Sequence, residues 1–257
     1  MYPDLFGIEG FSMTFMIIIG ALAAAGLLFF FLFKKGVPTS SFVDLAIVVI
    51  ATVFMGVVFA ILFENTYEAI KHSLNKEPQA WTWGMTFYGG LFGGVITFLL
   101  VYRLYYLRHN EPIMDKLVVI APGCITLGHA FGRIGCFLSG CCYGIECDPS
   151  VGVIFPGHTH AVIPTQLIEM IFLFSLTAVL VIFAFKYNFL YNFVIYVGFY
   201  GVFRFIIEFF RGDERGQLAG LSPSQYWCII LVVGAFPLYA LLKKLFGNRK
   251  EAIDDEI

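Results

Sequence analysis

Long apolar segments separated by short polar stretches follow one another along the whole sequence. Seven of them reach the length of about 20 residues that a helix needs to cross the hydrocarbon core of a membrane. Each is a continuous apolar run, unlike the alternating strands of a membrane β-barrel, and the hydrocarbon core has no water to satisfy open backbone groups. The pattern therefore predicts an all-α polytopic membrane protein with seven transmembrane helices. The predicted spans are residues 11–33, 42–64, 84–106, 117–138, 166–186, 190–210 and 224–246.

The composition supports an integral membrane protein. Hydrophobic residues make up 59% of the chain and charged residues 13%, with a mean hydropathy of +0.84, whereas soluble domains carry about 25% charged residues. The net charge of −2 provides no basic surface, so no nucleic-acid partner is expected. No insertion of the size of a soluble domain separates the spans, and residues 1–257 are expected to form a single membrane domain.

The distribution of Lys and Arg predicts the orientation, because cytoplasmic loops carry an excess of positive charge. With the N-terminus outside, the cytoplasmic side receives 10 of these residues and the external side receives 4, so the C-terminus is expected in the cytoplasm. No Lys or Arg precedes Lys34, so the first span lacks the basic start of a signal peptide and is expected to be retained. The external leaflet then gathers three glycine-rich or cysteine-rich segments, residues 82–90, 136–166 and 204–225.

Arg133 and Arg204 fall within or near predicted spans. A cation near the centre of a transmembrane helix opposes insertion by roughly 2.5–3.5 kcal/mol, so it normally faces a polar cavity or an anionic partner. Alternatively, Arg133 lies at a helix end and its side chain extends to the membrane–water interface. Arg204 is expected to form an ion pair with Glu208, four residues later. The helical face that carries Arg204 also holds Tyr200, Glu208 and Arg211.

Together, the two arginines predict a site for a phosphate group. A guanidinium binds phosphate through two parallel hydrogen bonds, and the anion available at this depth is the headgroup of a phospholipid. His129 lies four residues before Arg133 on the same helical face, and imidazole has the pKa range of a general base. On the basis of its position, His129 is therefore the better candidate for a general base. No cofactor and no bound metal are expected.

Four cysteines form the pattern C-x4-C-C-x4-C at the external side, and several interpretations stay open. They are Cys136, Cys141, Cys142 and Cys147. An oxidising compartment would allow a disulfide, and a neighbouring arginine would make a thiol reactive by lowering its pKa. The paired C-x2-C spacing of zinc sites is missing, which argues against zinc. Cys136 could also be a small packing residue between helices.

Four ordered motifs resemble those of the prolipoprotein diacylglyceryl transferases. Residues 132–144 (G-R-I-G-C-F-L-S-G-C-C-Y-G) resemble the signature of that family, and residues 88–90 (Y-G-G) are similar to its H-G-G element. Residues 164–169 (P-T-Q-L-I-E) resemble its H-P-[ST]-Q-L-Y-E element, and residues 200–211 are similar to its late Y-G-x-x-R block. The resemblance implies an enzyme of the bacterial plasma membrane that moves a diacylglyceryl group from phosphatidylglycerol to the thiol of a prolipoprotein cysteine, releasing glycerol phosphate.

The resemblance also implies roles for individual residues. Arg133 and Arg204 would hold and neutralise the phosphate, Tyr200 would position the headgroup, and Tyr88 and His129 are the candidates for handling the proton. The motif positions expected to contact the substrates are Gly89, Gly90, Cys136, Ser139, Cys141, Gln166, Tyr200, Glu208 and Arg211.

The chain departs from the family pattern where protons would be handled. Tyr88 replaces a histidine, Cys136 an asparagine, Cys141 a glutamate and Ile163 a second histidine. Tyrosine, with a pKa near 10, is a poor base at neutral pH. The chain is therefore expected to be a divergent member that uses the same phospholipid donor. Two alternatives remain: a transferase with another acceptor, such as a glycan or small alcohol, and a non-catalytic lipid-binding or redox membrane protein that uses the cysteines.

Overall fold

A computed structural model describes residues 11–75, 87–109, 113–156, 159–212 and 220–247 of the chain. Within these residues, seven helices are long and apolar enough to cross a membrane, which confirms the predicted number of spans. The helices are α1 (Phe11–Lys34), α2 (Phe42–Asn75), α3 (Phe87–His109), α4 (Met114–Leu138), α5 (Thr165–Tyr187), α6 (Asn192–Ile207) and α7 (Pro223–Leu242). Extended backbone in the described ranges forms isolated antiparallel bridges only.

The helix ends differ from the hydropathy pattern mainly in α2, which continues to Asn75 although the apolar run ends at residue 64. Residues 65–75 are more polar than the apolar run but contain no proline or glycine, so helix propensity carries the helix past the end of that run. For α3, the predicted start at residue 84 lies outside the described residues, and the described helix begins at Phe87. A short 3-10 segment, Glu208–Phe210, continues α6.

Large apolar side chains cover much of the outer surface of the helices. Leu22 of α1 is 68% exposed and Phe236 of α7 is 76% exposed. In a soluble protein such surfaces would be an aggregation liability, but lipid is as apolar as these side chains. The exposed apolar residues therefore fit a multi-pass membrane protein.

The chain divides into two compact units, residues 1–35 with 114–257 and residues 36–113. In the second unit, α2 packs on α3 through small residues. A Cβ on Gly89 would lie 2.5 Å from the Cβ of Phe63, and Gly90 faces Gly56 and Ala60. Small residues let two helix backbones approach closely within a membrane, so this pair of glycines holds α3 against α2.

In the first unit, α4 packs against α1, α5 and α6. Buried polar side chains tie these helices together. Thr177 of α5 donates to the hydroxyl of Thr126 at 2.8 Å. Asn192, at the start of α6, donates to the backbone carbonyls of Val119 at 2.8 Å and Leu180 at 3.0 Å. Such interhelical hydrogen bonds fix the rotation of the helices about α4, and this rotation decides which side chains meet.

Candidate active site

Glu169 of α5 forms the centre of a buried charged cluster, with 1% of its side chain exposed. Its Oε1 lies 3.0 Å from Nη2 of Arg133 and accepts a hydrogen bond from the Tyr200 hydroxyl at 3.0 Å. Its Oε2 lies 3.2 Å from Nη1 of Arg204. Three helices, α4, α5 and α6, therefore each place a charged side chain at one point. A carboxylate so deep in a bundle is stable only with such partners.

The cluster continues from Arg204 to the start of α7. Nη2 of Arg204 lies 2.8 Å from Oε2 of Glu208, which confirms the predicted ion pair four residues apart. The hydroxyl of Ser222 donates to Oε1 of Glu208 at 2.9 Å. Ser222 is also the N-cap of α7, where it forms a capping box with Gln225. Arg204 is thus buried between two carboxylates, one of which is tied to the next helix.

Arg133 is the more open of the two arginines. Its side chain is 14% exposed, compared with 9% for Arg204. Its Nη2 is bound to Glu169, but its buried Nε finds no hydrogen-bond partner among the described residues. A buried donor without a partner costs about 1–3 kcal/mol, which makes this N–H a candidate donor to an anion.

His129 lies beside the same carboxylate, one helical turn before Arg133. Its Nε2 is 3.8 Å from Oε1 of Glu169, and its ring packs edge-on against Tyr200 with the centroids 5.3 Å apart. The side chain is 26% exposed, the largest exposed fraction of the His129–Arg133–Glu169–Arg204 group. The imidazole therefore borders the charged cluster and can be reached from outside it.

The loop after α4 is held against α5 by two buried side chains. The hydroxyl of Thr165 donates to the carbonyl of Cys142 at 2.8 Å. The amide of Gln166 donates to the carbonyl of Cys141 at 2.5 Å. Gln166 therefore braces the loop through its Nε2, and its predicted contact with substrate remains a prediction.

Three of the four loop cysteines meet at the end of α4. The Sγ atoms of Cys136, Cys141 and Cys142 lie within 4.8 Å of one another. Cys147 is placed further along, where its N–H binds the carbonyl of Ala161 at 2.9 Å. The Ser139 hydroxyl is buried near this turn without a hydrogen-bond partner among the described residues.

The thiols of this turn differ in acidity. Hydrogen bonds with Cys136 and Cys141, and then with Arg211, hold the pKa of Cys142 below its usual range. Hydrogen bonds with Cys136 and Cys142 raise the pKa of Cys141. Arg211 reaches this turn because its backbone forms a bridge with Gly144, and Gly212 N–H binds the carbonyl of Tyr143 at 3.2 Å.

The remaining predicted site residues belong to the second compact unit. Gly89 and Gly90 contact α2 within that unit. The backbone of Tyr88 lies in the first turn of α3, and its side chain is outside the described part of the structure. The contribution of these three residues to the site therefore remains a prediction.

Glu169 is the functional candidate that the sequence pattern left out. It is the last position of the 164–169 motif and the single acidic residue in its predicted span. An ionisable residue inside a membrane helix is a functional-site hypothesis by default. The rule that singles out Arg133 and Arg204 therefore also indicates Glu169.

Comparison with known proteins places this site in a family context. A family model described as prolipoprotein diacylglyceryl transferase matches residues 5–241. The chain is 31% identical over 254 residues to phosphatidylglycerol–prolipoprotein diacylglyceryl transferase 2 of Clostridium perfringens, covering 96% of each chain. It is 34% identical over 242 residues to the enzyme of Clostridium tetani called phosphatidylglycerol–prolipoprotein diacylglyceryl transferase, covering 91% of this chain and 94% of that one. A relative of the same name from Dehalococcoides mccartyi is 30% identical over 248 residues, or 94% of this chain and 90% of the relative.

Proposed function

Because this chain belongs to the prolipoprotein diacylglyceryl transferase family, we propose that it transfers the diacylglyceryl group of phosphatidylglycerol to the thiol of a prolipoprotein cysteine. The acceptor sulfur forms a bond with the glycerol carbon that carries the phosphate ester. The bond between that carbon and the phosphate oxygen breaks, and glycerol phosphate leaves with the electron pair. The thiol gives up its proton before or during the attack. The protein is accordingly a multi-pass membrane transferase.

Arg133 is the residue that we assign to the phosphate. The observation that carries this assignment is its unpaired, buried Nε next to a partly exposed guanidinium. The ion pair with Glu169 fixes the guanidinium plane, so the free edge is already oriented before lipid binds. Negative charge that develops on the leaving phosphate is best stabilised by a cation that needs no reorganisation.

Arg204 acts in this scheme as a positioning residue. It is buried between Glu169 and Glu208, and both of its terminal nitrogens are engaged at 3.2 and 2.8 Å. A guanidinium used in this way holds Glu169 in place, because both of its terminal nitrogens contact carboxylates. The sequence-based expectation that Arg204 also grips the phosphate stays a prediction.

His129 is the group that we assign to the acceptor proton. Its imidazole borders Glu169 at 3.8 Å and is more exposed than the arginines. Glu169 can stabilise the protonated ring after proton transfer. The demand on the base is modest, because a thiol is already a few per cent ionised near neutral pH. Tyr200 donates its hydroxyl to Glu169, so we expect it to orient the carboxylate that faces both His129 and Arg133.

We place the site at the outer leaflet of the bacterial plasma membrane, with the N-terminus outside. The excess of Lys and Arg on the opposite side of the membrane supports this orientation. A prolipoprotein would then meet the enzyme once the cysteine that is to be modified has reached the outer leaflet.

One reconstitution experiment tests the proposed reaction. The full chain is placed in vesicles containing phosphatidylglycerol, a lipobox peptide is added, and products are identified by mass. The expected product is the peptide plus one diacylglyceryl group, with one glycerol phosphate released. Vesicles of phosphatidylcholine alone serve as the donor control. A peptide with serine in place of the cysteine tests an alcohol acceptor. Transfer to the serine peptide but not to the cysteine peptide would show that the acceptor is an alcohol and not a prolipoprotein thiol.

A further inference from the structure

The thiols at the end of α4 lie outside the chemistry proposed for the arginine and glutamate cluster. Cys136 is in the last turn of α4, and Cys141 and Cys142 follow in the turn after it. Their Sγ atoms approach within 4.8 Å of one another. Cys136 is 8% exposed, and the other two are half-buried. Three thiols at one partly accessible point form a set of ligands rather than three separate packing residues.

The local fold brings the first two thiols together. Gly140 has a φ of 68°, and its N–H binds the carbonyl of Phe137 at 3.2 Å, while Cys141 N–H binds the carbonyl of Cys136 at 3.1 Å. These two bonds form a Schellman motif, the common way in which a helix ends at a left-handed glycine. The motif places the residue after the glycine beside the last turn of the helix. Here that contact joins Cys141 to Cys136.

The third thiol is held by a strained backbone position. Cys142 has a φ of 65°, a left-handed conformation that non-glycine residues adopt at a cost of about 1–3 kcal/mol. Thr165 and Gln166 anchor the carbonyls of Cys142 and Cys141 from the start of α5. The turn is therefore fixed from both sides, and strain held in this way is typical of ligand-binding positions.

The spacing of the sulfurs fits a thiophilic metal ion. With zinc–sulfur bonds of about 2.3 Å, two sulfurs of a tetrahedral site lie about 3.8 Å apart. Since the three atoms are already within 4.8 Å, each pair needs to close by at most about 1 Å, a distance that side-chain rotation can cover. Thiolate ligands select zinc and other soft ions over magnesium or calcium.

The surrounding charges suit an anionic metal–thiolate centre. Three thiolates and one divalent ion leave a net charge of −1. The Arg211 side chain hydrogen-bonds to Cys142, and Arg133 interacts electrostatically with Cys136 and Cys142. Two guanidiniums therefore lie near the sulfurs and can stabilise that charge. The sequence spacing argued against zinc because a C-x2-C pair is missing, but a helix end followed by a left-handed turn supplies the same proximity.

We propose that Cys136, Cys141 and Cys142 bind one soft divalent metal ion of the zinc class, with the fourth position open to water or another ligand. Binding releases the protons of the three thiols, so it strengthens as the pH rises. The proposal concerns metal binding alone and does not depend on the transferase reaction proposed above.

Cadmium provides a spectroscopic probe for this site. The detergent-solubilised full chain is reduced, freed of metal with a chelator and titrated with Cd²⁺, and the ultraviolet band of cadmium bound to thiolate is recorded. We expect the band to saturate at one ion per chain and Zn²⁺ to displace it. Cys141→Ser and Cys142→Ser should each weaken binding by more than about 100-fold, beyond the 10–100-fold typical of changes outside the ligand set. Cys147→Ser and Cys228→Ser are matched controls and should bind as the unchanged protein does.

Several outcomes would overturn the metal site. The first is a reduced, folded chain that shows no saturable band. The second is an equal loss of binding in Cys147→Ser. The third is a disulfide among the three thiols with no metal uptake after reduction, which would make the cluster a redox pair. Because Cys136 is buried and its replacement can impair folding, the two variants in the turn decide the result, with helicity by circular dichroism as the folding control.

Discussion

Arg133 of α4 and Glu169 of α5 form an ion pair at 3.0 Å in which the carboxylate is almost completely buried. The Nε of the same guanidinium has no hydrogen-bond partner among the described residues. Glu169 therefore makes a buried cation tolerable, and in the proposed reaction it also sets the direction in which that cation binds the phosphate.

Removing the charge of Glu169 should destabilise the protein. In Glu169→Gln the shape is kept, but Arg133 and Arg204 lose a shared counter-ion, and breaking a buried pair costs about 3–5 kcal/mol. Thermal unfolding in detergent should show a clearly lower midpoint, together with loss of transfer activity. Glu146→Gln, at an exposed position in the loop between α4 and α5, is the matched control and should leave both unchanged. An unaltered midpoint for Glu169→Gln would contradict the central role of this carboxylate.

The two arginines should respond differently to replacement by lysine. Arg133→Lys keeps the charge but loses the planar fork, so kcat/KM for phosphatidylglycerol should fall at least about 10-fold, or about 1.4 kcal/mol, with near-normal thermal stability. Arg204→Lys cannot span both carboxylates and should chiefly lower the unfolding midpoint. The measurements are initial rates over a range of lipid content and thermal unfolding. Equal effects of the two changes on both quantities would refute the separate roles.

Replacing His129 should have an effect that depends on the acceptor. A thiol needs little help to lose its proton, whereas an alcohol needs a strong base. His129→Ala should therefore slow transfer to a cysteine peptide several-fold and abolish any transfer to a serine peptide. If the Tyr88 hydroxyl takes part, Tyr88→Phe should reduce the rate of transfer mildly with the thiol acceptor and severely with the alcohol acceptor. Full activity of both variants with both acceptors would show that neither side chain handles the acceptor proton.

The acidity of Cys142 predicts an unusual pH profile of alkylation. Its pKa is held below the usual range by hydrogen bonds with Cys136, Cys141 and then Arg211, and the thiolate is the reactive form. A thiol with a lowered pKa is ionised at a pH where an ordinary one, with a pKa of about 8.5, is protonated. Between about pH 6 and 9, and in the presence of a chelator, the rate at which iodoacetamide modifies Cys142 should therefore level off at a lower pH than the rate of an ordinary thiol.

Two controls define that measurement. A free cysteine peptide should react faster as the pH rises over the same interval. Cys141, whose pKa is raised by hydrogen bonds with Cys136 and Cys142, should stay unreactive, as fragmentation of the labelled peptide can show. A Cys142 rate that follows the peptide would disprove the lowered pKa.

The orientation can be tested at the external loop. An epitope inserted after Ser150, an exposed position between α4 and α5, should be reached by antibody on spheroplasts, that is, cells without their outer layers. A tag at the C-terminus should be reached only after the membrane is permeabilised. The opposite result would reverse the placement of the site, which rests on the 10-to-4 distribution of Lys and Arg.

Much of the architecture could be predicted without coordinates. The seven spans, the ion pair of Arg204 with Glu208 and the shared face of His129 and Arg133 depend on residues that are near one another along the chain. Hydrophobic length and the helical repeat govern such features. The membrane enforces them further, because it excludes every state in which backbone groups are left unsatisfied.

The partner that the two arginines share, Glu169, was decided only by the tertiary structure. Glu169 lies 35 positions from Arg204 along the chain, and whether they meet depends on how α4, α5 and α6 rotate against one another. The thiol cluster needed a left-handed glycine and a second left-handed residue to fold Cys141 and Cys142 back towards Cys136. The sequence by itself therefore determined the helices and the kinds of charge that they carry. Packing between helices, and the turn that ends α4, determined which of those groups share a site.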